Sequence, residues 1–241
     1  SSSSAASDVY KRQVPHDWAI SGPFDKKWDL QMVAIEQNGE TEKTEKSGRS
    51  GALPWIGEGM YKMNWTAPKG YKRAVLVFDG AMSQPVVSVN GKEAGKWAYG
   101  YNAFRIDITP FIQFGKSNLI EVHLNNVEES SRWYPGGGLY RPVSVELYGN
   151  ENFSTWDTFV RTLKADKQEA EVEVNALLEG KTGKSGKTVI ALLDEAGKKV
   201  AEQIVTGANP EIKTTLKVAN PQLWSPESPY LYQVKPVSYT H

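Results

Sequence analysis

Apolar residues recur at every second position in several parts of this chain, the period of a strand that buries one face. In Ile120-Glu121-Val122-His123-Leu124-Asn125 this puts Ile120, Val122 and Leu124 on the buried side and His123 on the other. Val143 to Leu147 repeats the alternation. Ala74 to Phe78 is a continuous apolar run closed by Asp79-Gly80, a turn pair. Val86 to Val89 leads through Asn90-Gly91 into Lys92 to Gly95. Asn-Gly between extended segments predicts a hairpin, because a type I′ turn needs positive φ at both central residues. No window shows the 3.6-residue period of an amphipathic helix. The fold class expected is all-β.

The pattern changes after Gly149-Asn150, so a domain boundary is placed at Gly149–Phe153. Residues 160–235 are rich in lysine and glutamate, with shorter, more regular strands. Val172, Val174 and Ala176 alternate with polar neighbours, and Val189 to Leu193 is more continuous. Asp194-Glu195-Ala196-Gly197-Lys198 reads as a turn into Val200-Ala201-Glu202. Strands spaced this closely suggest a small immunoglobulin-like sandwich. The polar stretch from Glu40 to Gly48 is expected as an exposed loop or a solvated edge. No internal repeat is visible.

Composition narrows the function. A chain of 241 residues that is 39% hydrophobic and 11% aromatic can bury a real core. Its 28 basic and 28 acidic side chains cancel, which gives no support for nucleic-acid binding. Cysteine is absent, excluding disulfides, thiolate metal sites and a cysteine nucleophile in this chain. No apolar run approaches the ~18–20 residues of a membrane-spanning helix, so no membrane partner is expected. The start shows no basic segment followed by an apolar one, and the compartment, periplasmic or cytoplasmic, stays open. Ser7 to Gln13 and Pro236 to His241 resemble translated adapter peptides, so residues 1–13 and 236–241 are expected to be a non-native leader and tail.

Candidate chemistry is sparse. His16 and His123 lie far apart without metal-type spacing, and His241 falls in the suspected tail, so no metal site and no cofactor are expected. His16 reads as a packed histidine bonded to a loop, and His123 as a surface residue. Gly136-Gly137-Gly138 lacks the Lys-Ser/Thr and helix of a phosphate cradle; a tight turn that lets aromatics approach is the better account. Glu128 and Glu129 are adjacent, and neighbours on an extended chain point apart, so they do not flank one bond. Ser130 to Arg141 differs in kind, with three aromatics, two arginines and three glycines. Aromatic faces stack on the C–H faces of sugars, and Arg and Ser donate to hydroxyls. This composition suits a carbohydrate-facing loop and equally suits aromatic packing at a domain interface.

Several motifs together resemble a known family. Val14-Pro15-His16-Asp17-Trp18-Ala19-Ile20-Ser21-Gly22-Pro23-Phe24-Asp25 is similar to the opening of the sugar-binding domain of family-2 glycoside hydrolases of the β-galactosidase type. Gly80 to Ser83, Val87 to Lys92 and Gly95 to Thr109 continue the likeness, and Ser131-Arg132-Trp133-Tyr134-Pro135-Gly136-Gly137-Gly138-Leu139-Tyr140-Arg141-Pro142-Val143 completes it. Leu223 to Tyr232 resembles the last strands of the family's second domain. The resemblance implies a jelly-roll, galactose-binding-like β-sandwich over 14–150, followed by an Ig-like β-sandwich over 151–235.

In the family these two domains precede a (β/α)₈ barrel that carries both catalytic glutamates of a retaining glycosidase. The barrel is expected to be missing from this chain, so no catalytic residue is assigned and the fragment alone is expected to be inactive. The resemblance assigns substrate contact to Ser131, Arg132, Trp133 and Tyr134, in the loop that reaches the barrel mouth of relatives. Some members carry an aspartate there that touches a cation. Here Ser131 stands at the best-matching position beside Arg132, so a cation is not expected and contact falls to Arg132 or an aromatic. Gly100-Tyr101 is expected to be structural. The expected partners are a terminal β-glycoside and the barrel, with a homo-oligomer possible in principle. The second sandwich is expected to stop after Tyr232 without its final strand, exposing an edge. A β-glucuronidase or β-mannosidase fragment, a free-standing carbohydrate-binding module and an adhesion protein are the alternatives.

Overall fold

The computed structural model describes residues 10–22, 24, 25, 30–37, 40–47, 55, 57–127, 134–180 and 186–239. They divide into two units, Ser1–Leu147 and Tyr148–His241. The division falls just before the Gly149–Phe153 boundary read from the sequence.

In unit 1, β1 (Leu30–Gln37) pairs antiparallel with β2 (Glu40–Ser47), Gln37 opposite Glu40. Of the two readings of the polar stretch, loop or edge, the structure shows a strand at the edge of a two-stranded sheet. A backbone ladder needs no apolar side chains, and the period-two test is silent on Thr-Glu-Lys-Thr-Glu-Lys. Seven further strands follow: β3 (Glu58–Thr66), β4 (Arg73–Phe78), β5 (Val86–Val89), β6 (Lys92–Lys96), β7 (Phe104–Asp107), β8 (Ser117–Asn125) and β9 (Val143–Tyr148). One sheet runs β3-β8-β5-β6 and the other β7-β4-β9. Val87, Val89, Ile120, Val122 and Leu124 from the first sheet meet Leu76, Phe78, Phe104 and Ile106 from the second in one core. Two sheets facing across a shared core make a β-sandwich. Phe78 and Phe104 stack at its centre, ring centroids 4.6 Å apart.

The β5–β6 hairpin has the predicted turn, with φ of 52° at Asn90 and 78° at Gly91. Asn90 does more than turn the chain. Its Nδ2 donates to the Phe111 carbonyl (2.8 Å) and to Asn118 Oδ1 (3.0 Å), and its Oδ1 accepts from Leu119 N (3.0 Å). Asn118 is 1% exposed; its Oδ1 also accepts from Gln113 N, and its Nδ2 donates to the Gln113 and Lys116 carbonyls. The turn, the segment around Phe111 and β8 thus share one satisfied polar network.

Unit 2 contains β10 (Asn152–Phe153), β11 (Phe159–Ala165), β12 (Glu169–Glu179), β13 (Gly186–Leu193), β14 (Lys199–Gly207), β15 (Glu211–Ala219) and β16 (Gln233–Tyr239). Strand β12 pairs with β10, β11 and β15, while β13 lies between β14 and β16. Val174, Ala176 and Leu178 of β12 bury against Ile190 and Leu192 of β13 and Ile212, Leu216 and Val218 of β15. The β13–β14 turn is the predicted one: Asp194 Oδ1 accepts from Lys198 N (2.8 Å), and Gly197 takes φ of 80°.

The end of unit 2 departs from expectation. The sheet does not stop after Tyr232, because Gln233–Tyr239 pairs with β13 along seven residues, Lys187↔Tyr239 to Leu193↔Gln233. Residues 236–239, expected to be a foreign tail, thus lie in a strand. Val234 packs against the core, and Pro236 is tolerated because β16 is an edge. Backbone pairing and the Val234 side chain are what the strand contributes to the sandwich.

Asn90→Ala removes a side chain that bonds three segments and puts a Cβ-bearing residue without local bonds at positive φ. It is expected to lower the unfolding free energy of unit 1 by about 2–3 kcal/mol, read as a shift in urea midpoint at constant m.

Candidate functional site

The aromatic loop is mounted at both ends. Strand β8 delivers Asn125, whose N donates to the Ser83 carbonyl (2.9 Å) while Ser83 Oγ donates to the Asn125 carbonyl (2.6 Å). Asn126 follows, 1% exposed, with its backbone N on the Gly57 carbonyl and its Nδ2 on the Gly136 carbonyl, both at 2.9 Å. On the far side, half-buried Tyr134 packs against the unit 1 core. The take-off and landing points of the loop are therefore bonded to each other through Asn126 and Gly136. Of the four residues assigned to substrate contact, Tyr134 is placed here; Ser131, Arg132 and Trp133 lie outside the described residues, as do Glu128 and Glu129.

Beneath the landing point runs a strap from the start of the chain. His16 N donates to the Leu139 carbonyl (2.8 Å) and Trp18 N to the Gly137 carbonyl (3.3 Å). Gly138 and Met82 exchange both backbone bonds, at 2.9 and 3.0 Å. Asp17 caps the one-turn helix α1 (Trp18–Ser21), its Oδ1 accepting from Ala19 N (3.0 Å) and Ile20 N (3.3 Å). The cap turns Trp18 inward, where its indole stacks on the Tyr61 ring with centroids 6.0 Å apart and planes 9° from parallel. Glycine is required above it. A Cβ on Gly137 would come within 2.6 Å of Trp18 Nε1 and 3.1 Å of the Ala19 methyl, and Gly136 and Gly138 take φ of 90° and 81°. The triple glycine is thus the tight turn under aromatics that the sequence suggested.

Burial biases the His16, Tyr61 and Tyr134 side chains of this cluster towards their neutral forms. His16 Nδ1 and the Tyr61 hydroxyl lie 2.8 Å apart. Burial, and then the Arg12 guanidinium, lower the His16 pKa, with Asp17 opposing them. Burial pushes the Tyr61 hydroxyl up to about 12. The Tyr134 hydroxyl is pushed higher still, by burial and by the Asp17 carboxylate beside it, although it does not meet hydrogen-bond geometry. Neutral Tyr134 therefore presents a proton donor at the foot of the loop. Trp18 Nε1 and Asn126 Oδ1 are also buried without a partner among the described residues.

Tyr61 and Asn126 carry the mount and escaped sequence reasoning. The one signal for Asn126 was a second asparagine where the alternation of β8 stops. Gly100 and Tyr101 are structural as expected, their carbonyls accepting from the Tyr140 hydroxyl (2.8 Å) and Arg141 Nη1 (2.7 Å). His123 faces Glu58 at 3.3 Å on the outer side of β8. Among the described residues no group of three or more His, Asp or Glu side chains could hold a metal ion, and no helix is long and apolar enough to cross a membrane.

Comparison with known proteins decides the family. The profile described as glycosyl hydrolases family 2 matches residues 154–237. A β-galactosidase of Bacteroides ovatus is 33% identical over 91% of this chain and 25% of its own length. A solved glycosyl hydrolase family 2 member from Bacteroides cellulosilyticus superposes with a TM-score of 0.78 at 29% identity, over 99% of this chain and 31% of the other. The chain belongs to glycoside hydrolase family 2. A putative β-glucuronidase of Formosa agariphila is also 33% identical, over 92% of this chain and 20% of that protein. This family-2 chain therefore spans a quarter of the length of the first of these curated relatives and a fifth of the second.

Two outcomes follow for the mount. Gly137→Ala forces the turn off the Trp18 indole and is expected to cost about 1–3 kcal/mol of unit 1 stability in urea melts. For His16 the folded pKa lies below the ordinary 6.5, so protonation favours the unfolded chain. Its contribution is whole above 6.5 and is lost as pH falls from there through the folded value. His16→Gln is expected to shrink the drop in urea midpoint between about pH 7.5 and about pH 5.

Proposed function

We propose that this chain is the non-catalytic front part of a retaining exo-glycosidase acting on terminal β-glycosides, most simply a β-galactosidase. Unit 1 is read as the jelly-roll, sugar-binding-type sandwich and unit 2 as the Ig-like one, with a (β/α)₈ barrel supplied by the rest of the protein. The observation that carries this is the double mount of the loop. Asn126 and Tyr134 fix both ends of a segment holding Arg132 and Trp133, and a rigid base is what a substrate-positioning loop requires. In this reading Trp133 and Tyr134 wall the sugar subsite, and Arg132 donates to hydroxyls. The chain itself performs no hydrolysis, since the acid/base and nucleophile that supply most of the rate stand on the barrel. The β-glucuronidase reading is kept because relatives bearing either name are equally similar.

The test is a pair of assays with chromogenic β-galactoside and β-glucuronide. The 241-residue chain is expected to give no turnover that survives repurification, and persistent turnover would place catalysis within it. A protein extended through the downstream reading frame is expected to cleave the galactoside preferentially. Trp133→Ala in that protein is expected to lower kcat/KM by about 10²-fold, the order a misplaced substrate costs. An unchanged kcat/KM would remove the loop from the active site.

A further inference from the structure

Unit 2 carries a groove that the loop of unit 1 does not explain. Strand β12 pairs with β11 as far as Asn175 and with β10 from Leu178, leaving two residues between, Ala176 and Leu177. The 154–158 turn crosses there: Ser154 N donates to the Leu177 carbonyl (2.8 Å), Ser154 Oγ to Asp157 Oδ2 (2.6 Å) and Thr158 Oγ1 to the Ser154 carbonyl (2.8 Å). The result is a cavity of about 340 Å³, floored by Asn175 and Leu177 and walled by Asp157 on one side and Glu211 and Lys213 on the other.

The walls are built for hydroxyl groups. Asn175 Oδ1 is buried and without a hydrogen-bond partner among the described residues, although a buried amide oxygen left bare is costly. Its Nδ2 is oriented by Glu173 Oε1 at 3.4 Å. Glu173 also holds Lys213 (3.5 Å) and Arg161 (3.0 Å), and its side chain is only 11% exposed, so the row is organised before any ligand arrives. Asp157 and Glu211 add two carboxylates, which accept from vicinal hydroxyls and repel an anionic sugar. Two aromatic side chains, one in the 154–158 turn and one in β11, are exposed. Phe159, opposite Asn175 in the register and so on the same face, is 56% exposed; Trp156, next to Asp157 in the chain, is 78% exposed.

We propose that this groove is a second carbohydrate site, taking one neutral pyranose with a C–H face on Trp156 or Phe159 and vicinal hydroxyls on Asp157, Asn175 and Glu211. It rests on the reading of the protein as carbohydrate-acting, and all of its lining residues belong to unit 2. It would hold a sugar of a larger glycan while the terminal residue is processed elsewhere.

The experiment uses the 241-residue chain, ¹⁵N-labelled, with its eight tryptophan indole resonances followed during titration with lactose and, separately, glucuronic acid. Trp156→Phe and Trp133→Phe assign the two indoles that matter. Lactose is expected to shift the Trp156 indole saturably with a millimolar Kd, and glucuronic acid to bind more weakly. Glu211→Gln and Trp156→Ala are each expected to weaken lactose about ten-fold. Glu211 has no part in the turn, so its variant tests the site even if Asp157→Asn disturbs the fold. A Trp156 resonance that does not move overturns the proposal. Movement confined to Trp133 overturns it too, while leaving the loop reading intact. Glucuronic acid binding as tightly as lactose overturns the assignment to a neutral sugar.

Discussion

A glycine backbone laid on an indole ring is the contact from which the rest of unit 1's functional end is built. Gly137 has no room for a methyl group above Trp18, so the turn that ends the aromatic loop can sit only there. That approach sets where Gly136 and Gly138 fall, and with them the carbonyl that Asn126 binds and the bridge to Met82. It also needs the indole to be held from below, which Tyr61 does by stacking and Asp17 does by capping the turn that carries Trp18. Five stretches, around Trp18, Tyr61, Met82, Asn126 and Gly137, meet here, and they hold the residues that flank the loop.

Unit 2 is held differently. Its core is aliphatic and regular, Val174 and Leu216 with no exposure against Ile190, so burial supplies the stability. The outer face of the same sheet is ordered by charge, with Arg161 and Lys213 on Glu173 and Lys217 on Glu171. Exposed pairs of that kind add little free energy singly. Their effect is geometric: they fix side chains in rows across three strands and leave the groove by Asn175 where the rows end.

The strands that bury one clean face were legible. Ile120, Val122 and Leu124 are each 8% exposed or less, and Asn90-Gly91 makes the turn that its two residue types dictate. For Glu40–Ser47 a loop and an edge both stayed open in the sequence, because alternation measures burial rather than pairing. The site was legible as a composition and not as a geometry. Trp133 and Tyr134 announce themselves, but nothing local says that Asn126 bonds to Gly136, or that Tyr61 stacks on Trp18 from 43 positions away in sequence. Contacts of that range are set by which sheets face each other, and no short window of sequence encodes that.

The last strand of unit 2 carries a wider meaning. Gln233–Tyr239 occupies its place beside β13 through main-chain pairing along seven residues. Such a place behaves as a socket that reads extension and a few inward methyl groups rather than a particular peptide. A sandwich closed through such a socket constrains the extension of its last segment more than that segment's side chains.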